Sequence, residues 1–353
     1  MSTSSPVAIV GLGARTPLGL DAPSTAAAVR AAISVIGAHP YFIDKAGEPM
    51  SVAMDTAITT DATLVERMAV LAEAALRESL APLAVTGGLD DPVPVFIGLP
   101  EGQPGVPKGL DKTLGDRLDA LATLPAPLGP ITAFANGHSA GLMALQEAAR
   151  LIHRGEAALC LAGGIDSYIE AERLEWLDAE EQLMSAENRS GFPPGEAAGF
   201  CLVASALAAH RLSLPALGNV VSVATDFEPN RIKTETICVG DGLTKAFRQV
   251  IRHLDLPSER IDAMFCDLNG ERYRNEEFVF TLLRTQLAFV DAGNFRHPAD
   301  CWGDVGAASG PLLAVLAVIA GMKGYADGRR CLLWTSSEGG QRGAALLEVA
   351  HRD

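Results

Sequence analysis

Short apolar runs alternate along this chain with longer stretches in which apolar residues recur at helical spacing. Runs bounded by turn residues predict buried strands, and helical spacing predicts amphipathic helices. Strands are predicted at 7–10, 93–97, 158–162, 220–224, 263–267, 331–335 and 344–349. Helices are predicted at 24–33, 64–79, 111–123, 168–184, 241–254, 275–287 and 309–322, and 39–61 reads as a loop with short extended pieces. Strands that alternate with helices in this way indicate an α/β protein.

One stretch, residues 131–145, brings a strand, a turn and a helix close together. Its sequence, ITAFANGHSAGLMAL, passes from an apolar run through small residues into an amphipathic pattern. We expect a strand that ends near Phe134, a tight turn at Asn136 and Gly137, and a helix that starts at about His138. Backbone N–H groups converge at a helix N-terminus, where they can stabilise an oxyanion. The pattern therefore predicts His138 as an exposed candidate reactive residue.

Composition and charge narrow the range of partners. The chain has 353 residues, 48% of them hydrophobic, and a net charge of −15 from 43 acidic and 28 basic residues. This charge disfavours nucleic acid and anionic membrane surfaces as partners. The longest apolar run, residues 311–322, is about a dozen residues against the roughly 20 needed to cross a bilayer, so it predicts a buried helix. The N-terminus, MSTSSPVAIVGLG, lacks the features of a secretory signal, and we expect a cytoplasmic protein.

No cofactor and no metal site are expected from the sequence. Gly11 and Gly13 suggest a dinucleotide-binding turn, but Thr16 stands where the third glycine is needed and Pro17 follows it. The cysteines lie far apart without a CxxC pair, which is typical of reduced, buried thiols rather than of a zinc site or a disulfide framework. They are Cys160, Cys201, Cys238, Cys266, Cys301 and Cys331.

The turn at His138 resembles the segment that presents the nucleophilic cysteine of the β-ketoacyl-acyl-carrier-protein synthases, or ketosynthases. In that family the cysteine stands three places before a glycine, and here His138 stands three places before Gly141. The segment NRSGFPPGEAAGFCLVAS, residues 188–205, also resembles a ketosynthase loop that leads into a strand. The resemblance implies a thiolase-like, five-layered αβαβα fold made of two similar halves, residues 1–212 and 213–353.

The resemblance also implies three catalytic positions, and in this chain none carries the family residue. A condensing ketosynthase needs a cysteine thiolate and two histidines that bind the donor thioester and stabilise the carbanion. The nucleophile position corresponds to His138, and the two histidine positions correspond to Asn269 and Asp304. We therefore expect that the chain does not catalyse condensation. A true ketosynthase would need another cysteine at a helix start, and only Cys301 comes near that requirement.

A pocket beside these positions is implied as well, lined by Phe134, Glu271, Glu338, Gly339 and Gly340. Glu338 precedes the paired glycines of WTSSEGGQRG, where the family has an aromatic gate. Burying a carboxylate beside an acyl chain is unfavourable unless it is paired or protonated. Binding of a fatty acyl chain in the usual mode is therefore disfavoured.

Two functions from different classes remain open. The first is a non-condensing homologue that acts as a binding or scaffolding partner, in a homodimer or in a heterodimer with a ketosynthase-like protein. The second is an acyltransferase or thioester hydrolase that uses His138 with Asp304 and Asn269, since a histidine between carboxylates is a candidate general acid or base. A helix N-terminus, however, favours neutral imidazole. An open apolar tunnel beside His138 would favour the enzyme, and a tunnel closed by Glu338 would favour the scaffold.

An acyl carrier protein is a further candidate partner, with weaker support. Such proteins are acidic, and a chain at −15 repels them unless basic residues cluster locally. Arg272, Arg274 and Arg296 are the candidates for a basic docking patch, although solvated surface arginines explain them better.

Overall fold

The computed structural model describes residues 6–231 and 234–351. Up to residue 211 the elements are β1 (Val7–Arg15), α1 (Ala22–Arg30), β2 (Gly37–Ile43), β3 (Pro49–Val52), α2 (Leu64–Val85), β4 (Val93–Leu99), α3 (Leu110–Asp119), β5 (Leu128–Ala135), α4 (Ala140–His153), β6 (Leu159–Ser167), α5 (Ala171–Ala179), β7 (Glu196–Ala204) and α6 (Ala206–Arg211). From residue 218 they are β8 (Gly218–Phe227), α7 (Asp241–Ile251), β9 (Ala263–Cys266), α8 (Arg272–Thr285), β10 (Phe295–Arg296), α9 (Ala299–Trp302), α10 (Ser309–Met322), β11 (Arg330–Ser336) and β12 (Gln341–Val349).

The main sheet repeats one strand arrangement twice. Its order is β10-β9-β11-β12-β8-β1-β7-β6-β4-β5, and β2 and β3 form a separate hairpin. In the first half β4 runs parallel to β5 and β6, whereas β7 runs antiparallel to β6 and β1. In the second half β9 runs parallel to β10 and β11, whereas β12 runs antiparallel to β11 and β8. The chain therefore has the expected fold of two similar halves. The proposed boundary after residue 212 falls between α6 and β8.

Among the described residues, three of the four hydrophobic clusters lie between the layers of helices and strands. The central core contains the apolar faces of α4 and α10 between the two sets of strands. A second core lies between α2 and the strands of the first half, and a third between α7, α8 and the strands of the second half. Helix α10 is buried from Ser309 to Gly321, as its continuous apolar run predicts. Within the described ranges, no helix is both long and apolar enough to cross a membrane.

The two central helices start with the same kind of turn. A one-turn 3₁₀ helix opened by a glycine of positive φ precedes each, with Gly137 at +64° before α4 and Gly306 at +48° before α10. The next glycine of each helix lies at the crossing. A Cβ atom at Gly141 would come within 2.3 Å of Pro311, and one at Gly310 within 2.8 Å of a leucine in α4. The glycine three places after His138 is therefore needed for close packing of the helices.

Some predicted bounds were wrong for local reasons. The helix predicted at 168–184 is α5, which starts after the N-cap Glu170 and ends before Glu181, a residue with a positive φ of 57°. The strand predicted at 158–162 continues as β6 to Ser167, because β7 pairs with it along that whole length. The short extended pieces predicted within the loop at 39–61 correspond to the hairpin of β2 and β3, but β2 begins earlier, at Gly37.

Candidate active site

His138 lies in the 3₁₀ turn between β5 and α4, at the position that the sequence predicts, but it is not exposed. Only 4% of its surface is accessible. The tip of the β11–β12 hairpin is bound to this turn, since the Ser139 N–H donates to Ser337 Oγ (2.8 Å) and the Ser337 hydroxyl donates to the Asn136 carbonyl (2.6 Å). The expected exposed presentation of His138 is therefore wrong, and one N–H of the turn is already used by the protein.

Asp304 is the direct partner of His138. The imidazole Nε2 lies 2.8 Å from both carboxylate oxygens, so this nitrogen carries the hydrogen and donates it. The Gly306 N–H also donates to Asp304 Oδ1 (2.8 Å). Both side chains are buried, and the structure thus joins two of the three residues singled out from the sequence.

The segment that resembles a ketosynthase loop holds the backbone of Asp304. The Gly195 N–H donates to the Asp304 carbonyl and the Asp304 N–H donates to the Pro193 carbonyl, each at 2.7 Å. The next residue, Glu196, forms a fully buried ion pair with Arg67. This segment therefore has a positioning role that the sequence did not reveal.

Asn269 links Asp304 to a second acidic group. Its amide Nδ2 donates to Asp304 Oδ2 (2.6 Å) and to Glu271 Oε2 (3.0 Å), and its Oδ1 accepts from the Glu271 N–H (3.1 Å). The three proposed catalytic positions are thus in one hydrogen-bonded group with Glu271. We call His138, Asn269, Glu271, Arg274 and Asp304 the His138 cluster.

Arg274 is the member of this cluster that sequence reasoning missed. Its side chain is completely buried, and it donates to Glu271 Oε2 (2.9 Å) and Asp267 Oδ2 (3.2 Å). Its Nη2 lies 3.3 Å from His138 Nε2. Both nitrogens carry hydrogen, so this contact is repulsive and is compensated by the surrounding carboxylates. An arginine three places after an acidic residue at a helix start is the signal that could have identified it.

The three arginines named as candidates for a basic docking patch do not come together. Arg274 is buried, whereas Arg272 pairs with Glu276 (2.7 Å) and Arg296 with Asp327 (2.7 Å) at the surface. Arg272 and Arg296 thus belong to separate surface pairs, as solvated surface arginines would, whereas Arg274 does not.

The His138–Asp304 contact is an ion pair, because the pKa of His138 is raised and the pKa of Asp304 is lowered. Burial lowers the pKa of His138, but the charge of Asp304 and its hydrogen bond outweigh burial and the opposing charge of Arg274, so the pKa is raised. Burial raises the pKa of Asp304, but His138 and Arg274 outweigh it and bring that pKa well below its usual range. The expectation that the helix N-terminus favours neutral imidazole is therefore wrong, because a carboxylate in direct contact dominates.

Glu338 is held at the edge of the cluster by two amides. Gln182 Nε2 donates to Glu338 and, at 3.4 Å, to Glu271, while Gln103 Nε2 donates to Glu338 at 3.2 Å. Burial and the charge of Glu271 raise the pKa of Glu338. The carboxylate is therefore satisfied by the protein itself.

The other residues of the expected pocket have different surroundings. The Gly339 N–H donates to Glu101 Oε1 (3.0 Å). Gly340, with a φ of +106°, lies against Phe227. Phe134 is half-buried against the central core. Next to Asp304 the structure has a cavity of about 10 Å³, lined also by Trp302 and Leu313, which is space for about one water molecule. That cavity is too small for an acyl chain.

None of the six thiols is activated. Burial raises the pKa of Cys160, Cys201 and Cys331 to about 12 and that of Cys238 to about 11. Burial also raises the pKa of Cys266 and of Cys301, the one cysteine near a helix start. A thiol with a raised pKa is a poor nucleophile at neutral pH.

Among the residues that the structure describes, one group of side chains has spacing compatible with a metal ion, but the chemistry of that group does not fit. Ligand atoms of Glu228, Cys238 and Glu277 lie within 4.8 Å of one another. Glu277 is paired with Arg342 (2.6 Å), and Glu228 Oε2 accepts from the Gly242 N–H (2.8 Å). The Cys238 thiol, with a pKa of about 11, is protonated at neutral pH. The two carboxylates are thus already bound to groups of the protein, and the thiol lacks the charge of a metal ligand.

Comparisons with known proteins agree with this fold. Residues 128–209 match the family described as Beta-ketoacyl synthase, N-terminal domain. This matched segment contains the His138 turn and the loop that holds Asp304. No curated protein sequence matches the chain.

Solved ketosynthases share the fold over nearly the whole chain. The ishigamide ketosynthase/chain length factor is 21% identical, with a TM-score of 0.72 over 98% of this chain and 100% of that one. A type II polyketide ketosynthase, solved with its acyl-carrier protein and bound to the hexaketide, is 12% identical, with a TM-score of 0.78 over 98% and 99% of the two chains. The ketosynthase from module 6 of the bacillaene synthase of Bacillus subtilis 168 is 14% identical, with a TM-score of 0.78 over 99% of this chain and 73% of that one.

Proposed function

We propose that this chain, which shares the fold of solved ketosynthases, is a non-condensing ketosynthase homologue that works as a binding or scaffolding partner. The observation that carries this proposal is the His138–Asp304 ion pair. His138 takes the place of the cysteine nucleophile, and its Nε2 is bound by a carboxylate within 2.8 Å inside a nearly inaccessible cluster. The raised thiol pKa values support the same conclusion, because condensation requires a thiolate.

The two positions that would bind a donor thioester are also committed to internal contacts. Asn269 donates to two carboxylates, and Asp304 accepts from His138, Asn269 and the Gly306 N–H. A carboxylate at Asp304 would repel, rather than stabilise, a carbanion formed by decarboxylation. We therefore propose that His138, Asn269 and Asp304 together lack the groups needed for condensation.

We propose that the chain forms a dimer by binding a partner chain at the free edge of the sheet, along β5. This strand is the last in the order and pairs with β4 on one side. Unpaired strand edges are templates for pairing with another chain. The similarity in fold to the ishigamide ketosynthase/chain length factor supports a ketosynthase-like partner or a second copy of this chain as the partner. An acyl carrier protein is the weaker candidate, since net charge opposes it and no shared patch of the three arginines forms. A cytoplasmic location is part of the same proposal.

Intact-protein mass spectrometry after incubation with acyl and malonyl thioesters tests this function, together with a malonate decarboxylation assay. We expect neither an adduct nor turnover, for the wild type and for His138→Ala alike. Size-exclusion chromatography with light scattering measures the oligomeric state in the same samples. An adduct or turnover that disappears in His138→Ala would overturn the non-condensing proposal.

The second candidate is an acyltransferase or thioester hydrolase built on His138, Asp304 and Asn269. It is favoured by one observation: Asp304 fixes the ring through Nε2–H and raises its pKa, as in a general acid–base dyad. In the hydrolytic reaction Nδ1 of neutral His138 would take a proton from a water molecule as its oxygen attacks the thioester carbon. The same Nδ1–H would then give that proton to the sulfur as the C–S bond breaks, which releases the thiol and returns His138 to the neutral form. Because only 4% of the His138 surface is accessible, this reaction requires that the cluster open to admit a thioester. Turnover of an acyl thioester by wild type and its loss in His138→Ala would establish it.

A further inference from the structure

A separate cavity lies at the other end of the sheet from β5. Its volume is about 270 Å³, and it opens between α1, α10 and the edge formed by β9 and β10. Its apolar wall comprises Ala26, Val29, Leu316 and the ring of Phe265. Phe265 belongs to the face of β9 that points toward the central core. The cavity shares no residue with the His138 cluster.

Two arginines and a tyrosine form the polar side of this cavity. The guanidinium carbon of Arg30 lies 4.2 Å from the centroid of the Tyr325 ring, and that of Arg296 lies 5.3 Å from the centroid of Phe265. A guanidinium stacked on a ring keeps its N–H edge available to a carboxylate. The two arginines therefore place cationic groups beside an apolar surface.

The charge at this cavity is locally positive in a strongly acidic protein. Arg296 donates to Asp327 (2.7 Å), and both side chains of that pair are partly exposed, so the pair is weak. In the part of the chain that the structure describes, Arg30 has no acidic partner, and its guanidinium lies over the Tyr325 ring. The cavity thus keeps one uncompensated positive charge, although the chain as a whole carries −15.

We propose that this cavity binds a small organic carboxylate with a flat or short apolar body. The apolar wall removes the body from water, and the arginines pair with the carboxylate, a combination of hydrophobic burial and charge-assisted hydrogen bonding. The volume is slightly below the range of about 300–1,000 Å³ typical of ligand pockets, which limits the ligand to a small molecule. Burial raises the pKa of Tyr325, and its hydroxyl therefore stays protonated as an additional donor.

Isothermal titration of the full chain with benzoate tests this site. We expect saturable binding by the wild type and a loss of affinity of about tenfold or more in Arg30→Gln, because the uncompensated cation is removed. Arg248→Gln, on the exposed face of α7, removes the same charge elsewhere and is the matched control with unchanged affinity. Benzamide, a neutral analogue of the same shape, is expected to bind much more weakly than benzoate.

Thermal unfolding of the same variants, measured with and without benzoate, shows that each is folded and reports binding independently. We expect benzoate to raise the unfolding temperature of the wild type and of Arg248→Gln, and to have little effect on Arg30→Gln. The proposal is overturned if the wild type shows no saturable binding of benzoate, if Arg30→Gln binds as well as the wild type, or if benzamide binds equally. These results leave the proposed non-condensing function untouched, since the two sites share no residue.

Discussion

His138 Nε2 lies 2.8 Å from both carboxylate oxygens of Asp304, and the buried guanidinium of Arg274 lies 3.3 Å from the same nitrogen. This geometry is stable only when the carboxylate is charged, because its negative charge compensates two buried cationic groups that are in contact with each other. The cluster is thus a buried ion network that contains the three positions proposed from the sequence as catalytic.

Asp304→Asn tests how much the fold depends on this carboxylate. Removal of one partner from a buried ion pair costs about 3–5 kcal/mol, because the remaining charge is left uncompensated. We expect a loss of that order in the free energy of unfolding, measured with urea. Asp300→Asn is the control, since Asp300 is 73% exposed in its pair with His297, and we expect a change within about 0.5 kcal/mol. Equal stability of Asp304→Asn and wild type would contradict this account of the cluster.

The same ion pair predicts a pH dependence of stability. A histidine whose folded pKa is raised contributes stability that is fully present below its ordinary pKa of 6.5 and is lost as the pH rises through the higher folded pKa. Asp304 limits stability only in acid: because its folded pKa is lowered, its contribution to stability is lost as the pH falls through that low folded pKa. We expect the difference in unfolding free energy between wild type and His138→Gln to be larger at mildly acidic pH than at alkaline pH. A difference that is constant with pH would show that His138 is neutral in the fold.

Arg274 and Arg272 form a matched pair two residues apart on α8. Arg274→Met removes a buried cation that compensates Asp267 and Glu271, and we expect a loss of about 3 kcal/mol or more in unfolding free energy. Arg272, 82% exposed in its pair with Glu276, should change stability by less than about 0.5 kcal/mol when replaced by Met. Urea unfolding of both variants measures the contrast. If the two losses are alike, Arg274 is not the central cation of the cluster.

Gly141→Ala tests the crossing of the two central helices. The added methyl group would lie 2.3 Å from Pro311 Cδ, and we expect overpacking to cost about 1–3 kcal/mol. Gly115→Ala in α3 is the control, since its Cβ would meet nothing within 4 Å. There the lower chain entropy of alanine should stabilise the protein by about 0.5–1 kcal/mol. Thermal unfolding of both variants checks these opposite signs, and a neutral Gly141→Ala would argue against the tight crossing.

The sequence by itself determined the elements whose pattern is local. The continuous apolar run of 311–322 predicted a buried central helix, and α10 is buried along nearly its whole length. The small residues around Asn136 and Gly137 predicted a sharp turn, because only glycine readily adopts the positive φ found there. The spacing of strands and helices, with two motifs of the ketosynthase type, was enough for the fold class.

The tertiary structure decided what surrounds the candidate site. His138 is covered because Ser337, almost two hundred positions later, closes on its turn. Arg274 reads from its neighbours as a surface arginine, yet α8 turns it inward to meet Asp267 and His138. Local periodicity describes one segment at a time, whereas burial and ionisation depend on groups that only folding brings together.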